Sequence, residues 1–174
     1  RVGALVTQGL GRDSDWSATR VTVAGIGIAG FAAADALAQL GAIVTVVDAG
    51  DGPGQRERAD ILEVLGVEVL LGHDDSLPPC DLLVVSPGLR PSAPLITAAQ
   101  AAGVPVWGEL ELAWRLRSSV GAAPWLVVTG TNGKTTTTLM LESMLTAAGL
   151  RAVSAGNIGT SLIDVVMHDD LDVI

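Results

Sequence analysis

The chain of 174 residues has little of several things that would place it in other protein classes. It has one cysteine, Cys80, so no disulfide can form within the chain, which fits a reducing cytoplasm. No histidine lies near Cys80 in sequence, and it reads as a plain half-buried thiol. There is no tyrosine and only one phenylalanine. That shortage, with plentiful Ala, Val, Leu and Gly, suits an α/β protein whose helices pack closely on a sheet. No apolar run reaches the length of about 18 residues that a membrane span needs. The first residues also lack the basic-then-apolar pattern of a secretory signal. Positive charge is scarce: ten basic residues face 19 acids, for a net charge of −9. Before residue 113 the balance is six basic to 14 acidic, and afterwards four to five. Nonspecific nucleic-acid binding needs a basic footprint, and this distribution excludes one. Lysine is scarcest of all: Lys134 is the only one, and every other basic side chain is arginine.

What is present centres on that lysine. Trp125-Leu126-Val127-Val128 reads as a buried strand. Thr129-Gly130-Thr131-Asn132-Gly133 makes a glycine-bearing turn. Thr135 to Ala148 reads as a helix with apolar residues at Leu139, Leu141, Met144 and Leu145. Strand, glycine turn, Lys-Thr and helix is the layout of a phosphate-binding P-loop. In such a loop, backbone N–H groups converge on one concavity and the helix dipole adds partial positive charge. Lysine is a compact point charge that neutralises outer phosphates, and the hydroxyl after it, here Thr135, can hold Mg²⁺. The bland alternative is an ordinary Gly-Lys helix start. One departure stands out: the usual pattern has glycine where this chain has Val128, and the nearest is Gly130.

A second glycine turn opens the chain. Arg20 to Ala24 reads as a strand and runs into Gly25-Ile26-Gly27-Ile28-Ala29-Gly30. A helix follows to about Leu40 and stops at Gly41. Ala42 to Val47 is the next strand, with Asp48 at its carboxyl end. This is a Rossmann-like βαβ unit: glycines let the backbone approach a diphosphate, and an acid about twenty residues on can take nucleotide hydroxyls or N–H groups. A tight turn chosen only for packing is the alternative. The motif does not name its nucleotide; NAD, FAD and UDP-sugars all use this geometry.

The rest continues the alternation. Helix 55–65, strand 67–71 and strand 82–85 follow, the last ending in Ser86-Pro87-Gly88. Ligands of open α/β sheets sit beyond strand carboxyl ends, which puts Ser86 and Gly88 within reach of one. His73-Asp74-Asp75 reads as a solvated loop rather than a metal site, because no second cluster has ligand spacing. Helix 93–102, an edge strand 104–106 and helix 108–117 come next. Glu109 and Glu111 fall in the first turn of that helix, where carboxylates suit the dipole. They do not make an acid/base pair, because residues two apart point to different sides. Residues 118–124 read as a linker. After the P-loop helix a strand, 152–154, leads into Ala155-Gly156-Asn157-Ile158-Gly159-Thr160, another glycine turn. Asn157 there could present its amide to a phosphate or simply make an asparagine turn. His168 is expected to be exposed. Arg1 to Ser17 reads as a mobile lead-in; Trp16 could pack on the domain edge, with no role assigned to it.

Taken in order, Gly-Ile-Gly-Ile-Ala-Gly, Val-Val-Asp, Ser-Pro-Gly, Gly-Glu-Leu-Glu-Leu, Gly-Thr-Asn-Gly-Lys-Thr-Thr and Gly-Asn-Ile-Gly resemble the motif set of the Mur ligases of peptidoglycan synthesis. The resemblance covers about residues 19–174 and accounts for the missing glycine at Val128. It implies a Rossmann-like, parallel-sheet UDP-binding domain over 19–112, after a lead-in at 1–18. The front part of a P-loop ATPase domain then occupies 113–174. By resemblance, Ile26 and Gly27 lie against the nucleotide of the UDP-sugar. Asp48 contacts its uracil end, and Ser86, Pro87 and Gly88 line the same pocket. Gly130, Thr131, Asn132, Gly133, Lys134, Thr135 and Thr136 hold the phosphates of ATP, with Thr135 on Mg²⁺. Asn157 reaches the muramoyl substrate, and Lys134, Thr135 and Asn157 are the expected catalytic set.

Ser-Pro-Gly and Gly-Asn-Ile-Gly favour the branch that joins D-glutamate to UDP-N-acetylmuramoyl-L-alanine through an acyl phosphate. The implied protein is a cytoplasmic monomer. Only about forty residues follow Lys134, so the chain is expected to be a fragment, inactive alone. A nicotinamide-dependent oxidoreductase, a non-catalytic nucleotide-binding module and a sibling ligase adding another amino acid stay open at this point.

Overall fold

The computed structural model describes residues 7, 9–73, 75–156, 158–168 and 170–174. Five strands form one sheet: β1 (Arg20–Ala24), β2 (Ile43–Asp48), β3 (Glu68–Leu71), β4 (Leu82–Val85) and β5 (Val106–Gly108). Their spatial order is β3-β2-β1-β4-β5, and every pairing is parallel. Parallel neighbours need crossovers, and helices supply most of them: α1 (Ile28–Gln39), α2 (Pro53–Val64) and α3 (Pro94–Ala102). After β5 come α4 (Glu109–Arg115), α5 (Lys134–Ala147) and α6 (Leu162–Val166). This is the expected α/β parallel sheet, with helix bounds within two residues of those read from periodicity. The short edge strand sits slightly later than expected, because Pro105 has no N–H to donate and contributes only its carbonyl, to Leu83 N.

Strand side chains alternate between the faces, so the strands feed two cores. Val21, Val23, Val46, Leu82 and Val84 join the larger cluster with residues of α1, α2, α4 and α6. Ala24, Val47 and Leu83 face the other way, against Leu95, Ile96 and Ala99 of α3. Helix α1 packs closely because its inner face is alanine: Ala32, Ala33, Ala34 and Ala36 are all buried.

The lead-in differs from expectation. Trp16 is fully buried in the larger cluster, and Leu10 joins it. The indole Nε1 donates to Gly11 O at 2.9 Å, and Arg12 donates to Met167 O at 3.1 Å. A large apolar ring with its one donor satisfied is worth burying, and it fastens residues 9–18 to the domain. Residues 1–6 and 8 lie outside the described set. The 118–124 linker is tied at both ends. The Arg117 guanidinium stacks 3.1 Å from the Trp114 ring centroid, and Trp114 meets Trp125 edge-on at 5.2 Å.

Residues after 124 form a thinner layer. Trp125 to Val128, expected as a buried strand, pairs on one side only. Leu126 N–H donates to Ile174 O at 2.8 Å, and Ile174 N–H to Pro124 O at 3.0 Å. The expected strand at 152–154 is a single parallel bridge, Ala152 to Val173. Leu126 is 47% and Val127 81% exposed, because a parallel strand becomes buried only with neighbours on both edges and layers on both faces. For the same reason α5 has no buried residue. Among the described residues, no helix is long and apolar enough to cross a membrane.

Candidate functional site

β1 lies where the sheet changes direction, with β2 on one side and β4 on the other. Beyond its carboxyl end the 25–30 turn meets Ser86, which follows β4. Gly25 has φ +96°, and its carbonyl accepts from Ser86 Oγ at 3.3 Å. A Cβ on Gly30 would stand 1.7 Å from Gly25 O, so no other residue fits there. A Cβ on Gly27 would meet nothing within 4 Å. That opening faces a cleft of about 330 Å³ lined by Gly27, Ile28, Ala29, Ser86, Pro87 and Gly88. Among the described residues no acceptor takes the backbone N–H of Gly27, Ile28, Ala29 or Gly30, and the first backbone bond into α1 is Phe31 N to Gly27 O. Three of these residues, Gly27, Ile28 and Ala29, line the open cleft, and free donors at a helix start make a seat for an anion.

Asp48 ends β2 and is spoken for by the backbone. Its Oδ2 accepts from Ile26 N and its Oδ1 from Gly50 N, both at 2.7 Å. It lines a second cleft of about 180 Å³, walled by Gly25, Leu89, Pro94 and Leu95. The structure therefore does not put Asp48 in one cleft with Ser86, Pro87 and Gly88. Two neighbouring clefts meet at the Gly25–Ser86 contact, one small and largely apolar, the other wider and rich in N–H donors. The Ile26 side chain is fully buried, its N–H is taken, and Ile26 lines neither cleft.

The segment after α5 completes the wider cleft. Gly156, Gly159 and Ser161 line it together with Gly27 and Ser86. Asn157 belongs to that loop but lies outside the described residues, as does Asp74 of the 73–75 loop. His73 Nε2 bonds Ser76 Oγ at 2.8 Å, and no metal-binding cluster occurs among the described residues. Burial pushes the Cys80 thiol up, which keeps it protonated and unreactive. His168 is exposed, as expected.

The P-loop is exposed throughout, from Gly130 to Thr136. Gly130 (φ +152°) and Gly133 (φ +78°) take conformations that other residues avoid, and Gly133 caps α5. Among the described residues no acceptor takes the N–H groups of 130–136; the first bond is Thr137 N to Gly133 O. Lys134 Nζ folds back to Gly130 O at 2.6 Å, which keeps the cation at the loop mouth. Orphan donors, a lysine and the Thr135 hydroxyl fit a nucleotide polyphosphate with its divalent cation.

Sequence reasoning missed two participants. Glu109 lines the wider cleft, and its Oε1 accepts from Leu162 N at 3.2 Å and from Ser161 Oγ at 3.4 Å. The glutamate was visible at the start of a helix. Its partners, about fifty residues on, were not.

The Mur ligase MurD-like N-terminal domain family matches residues 19–108, and the Mur ligase middle domain family matches 128–170. The chain belongs to the Mur ligase family. It is 55% identical over 158 residues to UDP-N-acetylmuramoylalanine–D-glutamate ligase of Streptomyces avermitilis, covering 90% of this chain and 34% of that protein. The Streptomyces coelicolor ligase of the same name is 58% identical over 156 residues, covering 88% and 33%. Among solved structures, a murein peptide ligase from Psychrobacter arcticus is 27% identical with a TM-score of 0.51, covering 87% of this chain and 32% of that one. This Mur ligase chain thus spans about a third of the length of the curated relatives it matches.

Proposed function

We propose that this chain supplies the nucleotide-sugar clefts and the ATP loop of a ligase that joins D-glutamate to UDP-N-acetylmuramoyl-L-alanine. The observation that carries this is the shared cleft. Gly156 and Gly159, on the connection that leaves the P-loop helix, wall the same space as Gly27 and Ser86 to Gly88. A ligand seated on the glycine turn therefore runs toward the ATP-binding unit. Relatives over half identical carry the D-glutamate ligase name, which supports the incoming amino acid. In this reading, residues 19–112 form the UDP-substrate unit and 113–174 the front of the ATPase unit, in a cytoplasmic monomer.

The diphosphate takes the free N–H groups of Gly27 to Ala29, and the uracil takes the small cleft beside Asp48. Asp48 fixes that cleft by holding Ile26 and Gly50 rather than by reaching out itself. The triphosphate lies in the 130–136 loop with Lys134 drawn from Gly130 O onto its outer phosphates. Mg²⁺, held by Thr135, offsets the crowded negative charge there when bound. The alanyl carboxylate oxygen bonds to the γ-phosphorus, the bond to the ADP oxygen breaks, and an acyl phosphate results. The amine of D-glutamate then attacks the acyl carbon, loses a proton, and expels phosphate. The chain's part is placement: a fixed cleft wall and a preset donor array bring two anions together. Asn157 is assigned to the carboxylate end of the muramoyl ligand.

Calorimetric titration tests this, using UDP-N-acetylmuramoyl-L-alanine, UDP, NADH and Mg-ATP. Both UDP ligands and Mg-ATP bind, NADH does not, and Lys134→Ala removes only the Mg-ATP heat. Binding of NADH that UDP cannot displace would reject the ligase reading in favour of an oxidoreductase.

A further inference from the structure

Glu109 opens α4, yet its carboxylate serves a segment 52 residues further on. Its Oε1 holds the N–H of Leu162 and the hydroxyl of Ser161, and Ser161 Oγ in turn accepts from Ile163 N at 3.2 Å. Ser161 is buried, at 2% exposure, so this relay lies inside the joint between α4 and α6. It fastens Ser161 and the first turn of α6 to the Rossmann-like unit. Both bonds use the same oxygen. Oε2 has no partner among the described residues, and Glu109 lines the wider cleft.

An ionised carboxylate can only accept hydrogen bonds. It repels a diphosphate and any second carboxylate, and more strongly at a half-buried wall than in open water. The diphosphate therefore seats on the N–H groups of Gly27 to Ala29 rather than against Glu109. What suits Oε2 is a neutral donor, a sugar hydroxyl or an amide N–H. The sugar–peptide half of the nucleotide-sugar carries both kinds, and UDP, which has only its ribose, lacks the N-acetylmuramoyl sugar and its amides.

We propose that Glu109 is a substrate-positioning residue. Its Oε1 holds Ser161 and Leu162 at the cleft, and its Oε2 accepts a hydrogen bond from a hydroxyl or amide N–H of the sugar–peptide half. This rests on the UDP-N-acetylmuramoyl-L-alanine reading above.

The test is titration of the full-length protein with UDP and with UDP-N-acetylmuramoyl-L-alanine, comparing the parent, Glu109→Ala and Glu109→Gln. For Glu109→Ala, UDP affinity stays within about twofold and affinity for the sugar–peptide ligand falls about tenfold, as expected for one charge-assisted bond. Glu109→Gln has an amide oxygen that can keep the α6 bonds, so it folds like the parent. It loses about three- to tenfold for the sugar–peptide ligand only. In steady state, KM for the nucleotide-sugar rises more than kcat falls. Parallel losses for both ligands would show that Glu109 only supports the fold, and no loss for either would show that Oε2 meets no donor; each overturns the proposal. A parent that binds neither ligand overturns the underlying reading as well, and is told apart by needing no variant.

Discussion

Asp48 Oδ2 accepts the backbone N–H of Ile26 at 2.7 Å, across the 22 residues that separate the end of β2 from the glycine turn. With the matching bond to Gly50 N, one carboxylate fixes both loops around the small cleft. Asp48→Ala leaves two half-buried N–H groups unpaired and costs about 2–3 kcal/mol, read by urea denaturation. Asp48→Asn keeps one acceptor and costs about 1 kcal/mol. Equal and negligible losses would mean that the turn holds its shape without the carboxylate.

Two glycines of the same turn separate packing from binding. Gly30→Ala drives a Cβ to 1.7 Å from Gly25 O, and the backbone must move. The expected cost is about 3 kcal/mol or more, with loss of UDP binding. Gly27 has φ −64° and open space around its Cβ position. Gly27→Ala therefore costs no more than about 1 kcal/mol, the scale of an N-cap change, yet puts a methyl into the anion seat. Thermal melts paired with UDP titration distinguish the two. A Gly27→Ala protein with parent affinity would show that phosphate does not approach there.

The acid limb of stability has an identifiable contributor. Hydrogen bonds from the Arg20 side chain and backbone hold the Asp81 carboxyl below its ordinary range. A depressed folded pKa stabilises at pH above the unfolded value, and that contribution fades as pH falls through the folded value. Asp81→Asn is therefore less stable than the parent at pH 7, and the gap closes as pH drops below about 4. A gap that stays constant from pH 7 to pH 2 would remove Asp81 from the account.

Protection against hydrogen exchange divides the chain. α1 is sealed by Ala33, Ala34 and Leu37, each 1% exposed or less, while α5 buries no residue. Amides of α5 in this 174-residue chain exchange at least about tenfold faster than those of α1, because local opening there exposes little new apolar surface. Uniform protection across both would contradict the layering described here.

Much of the fold was legible because its signals are local. Val21, Val23 and Val46 alternate with residues of the other face, glycine ends the helix of Ala32 to Leu37, and the two phosphate turns have fixed offsets. The P-loop helix was equally legible, but not its exposure: periodicity at Leu139 and Met144 marks a face that wants covering, not whether anything covers it. Asp48 was singled out as a candidate, while its two backbone partners depend on how the 49–50 turn closes. Glu109 and Ser161 stayed hidden because their bond depends on α6 docking beside α4, which no short-range pattern encodes. The depth of Trp16 was hidden for a similar reason: a lone aromatic in a glycine-rich stretch can be placed at a domain edge, but it carries no period to show that it is fully buried.

The buried indole of Trp16 has a practical reach. The matched family segment begins at residue 19, after the side chain that fills the space beside it. A polypeptide trimmed to start there would carry a void the size of a two-ring heterocycle, at a cost of about 3–5 kcal/mol. The edge of a sequence family is drawn where residues stop resembling one another, and here the van der Waals solid continues past that edge.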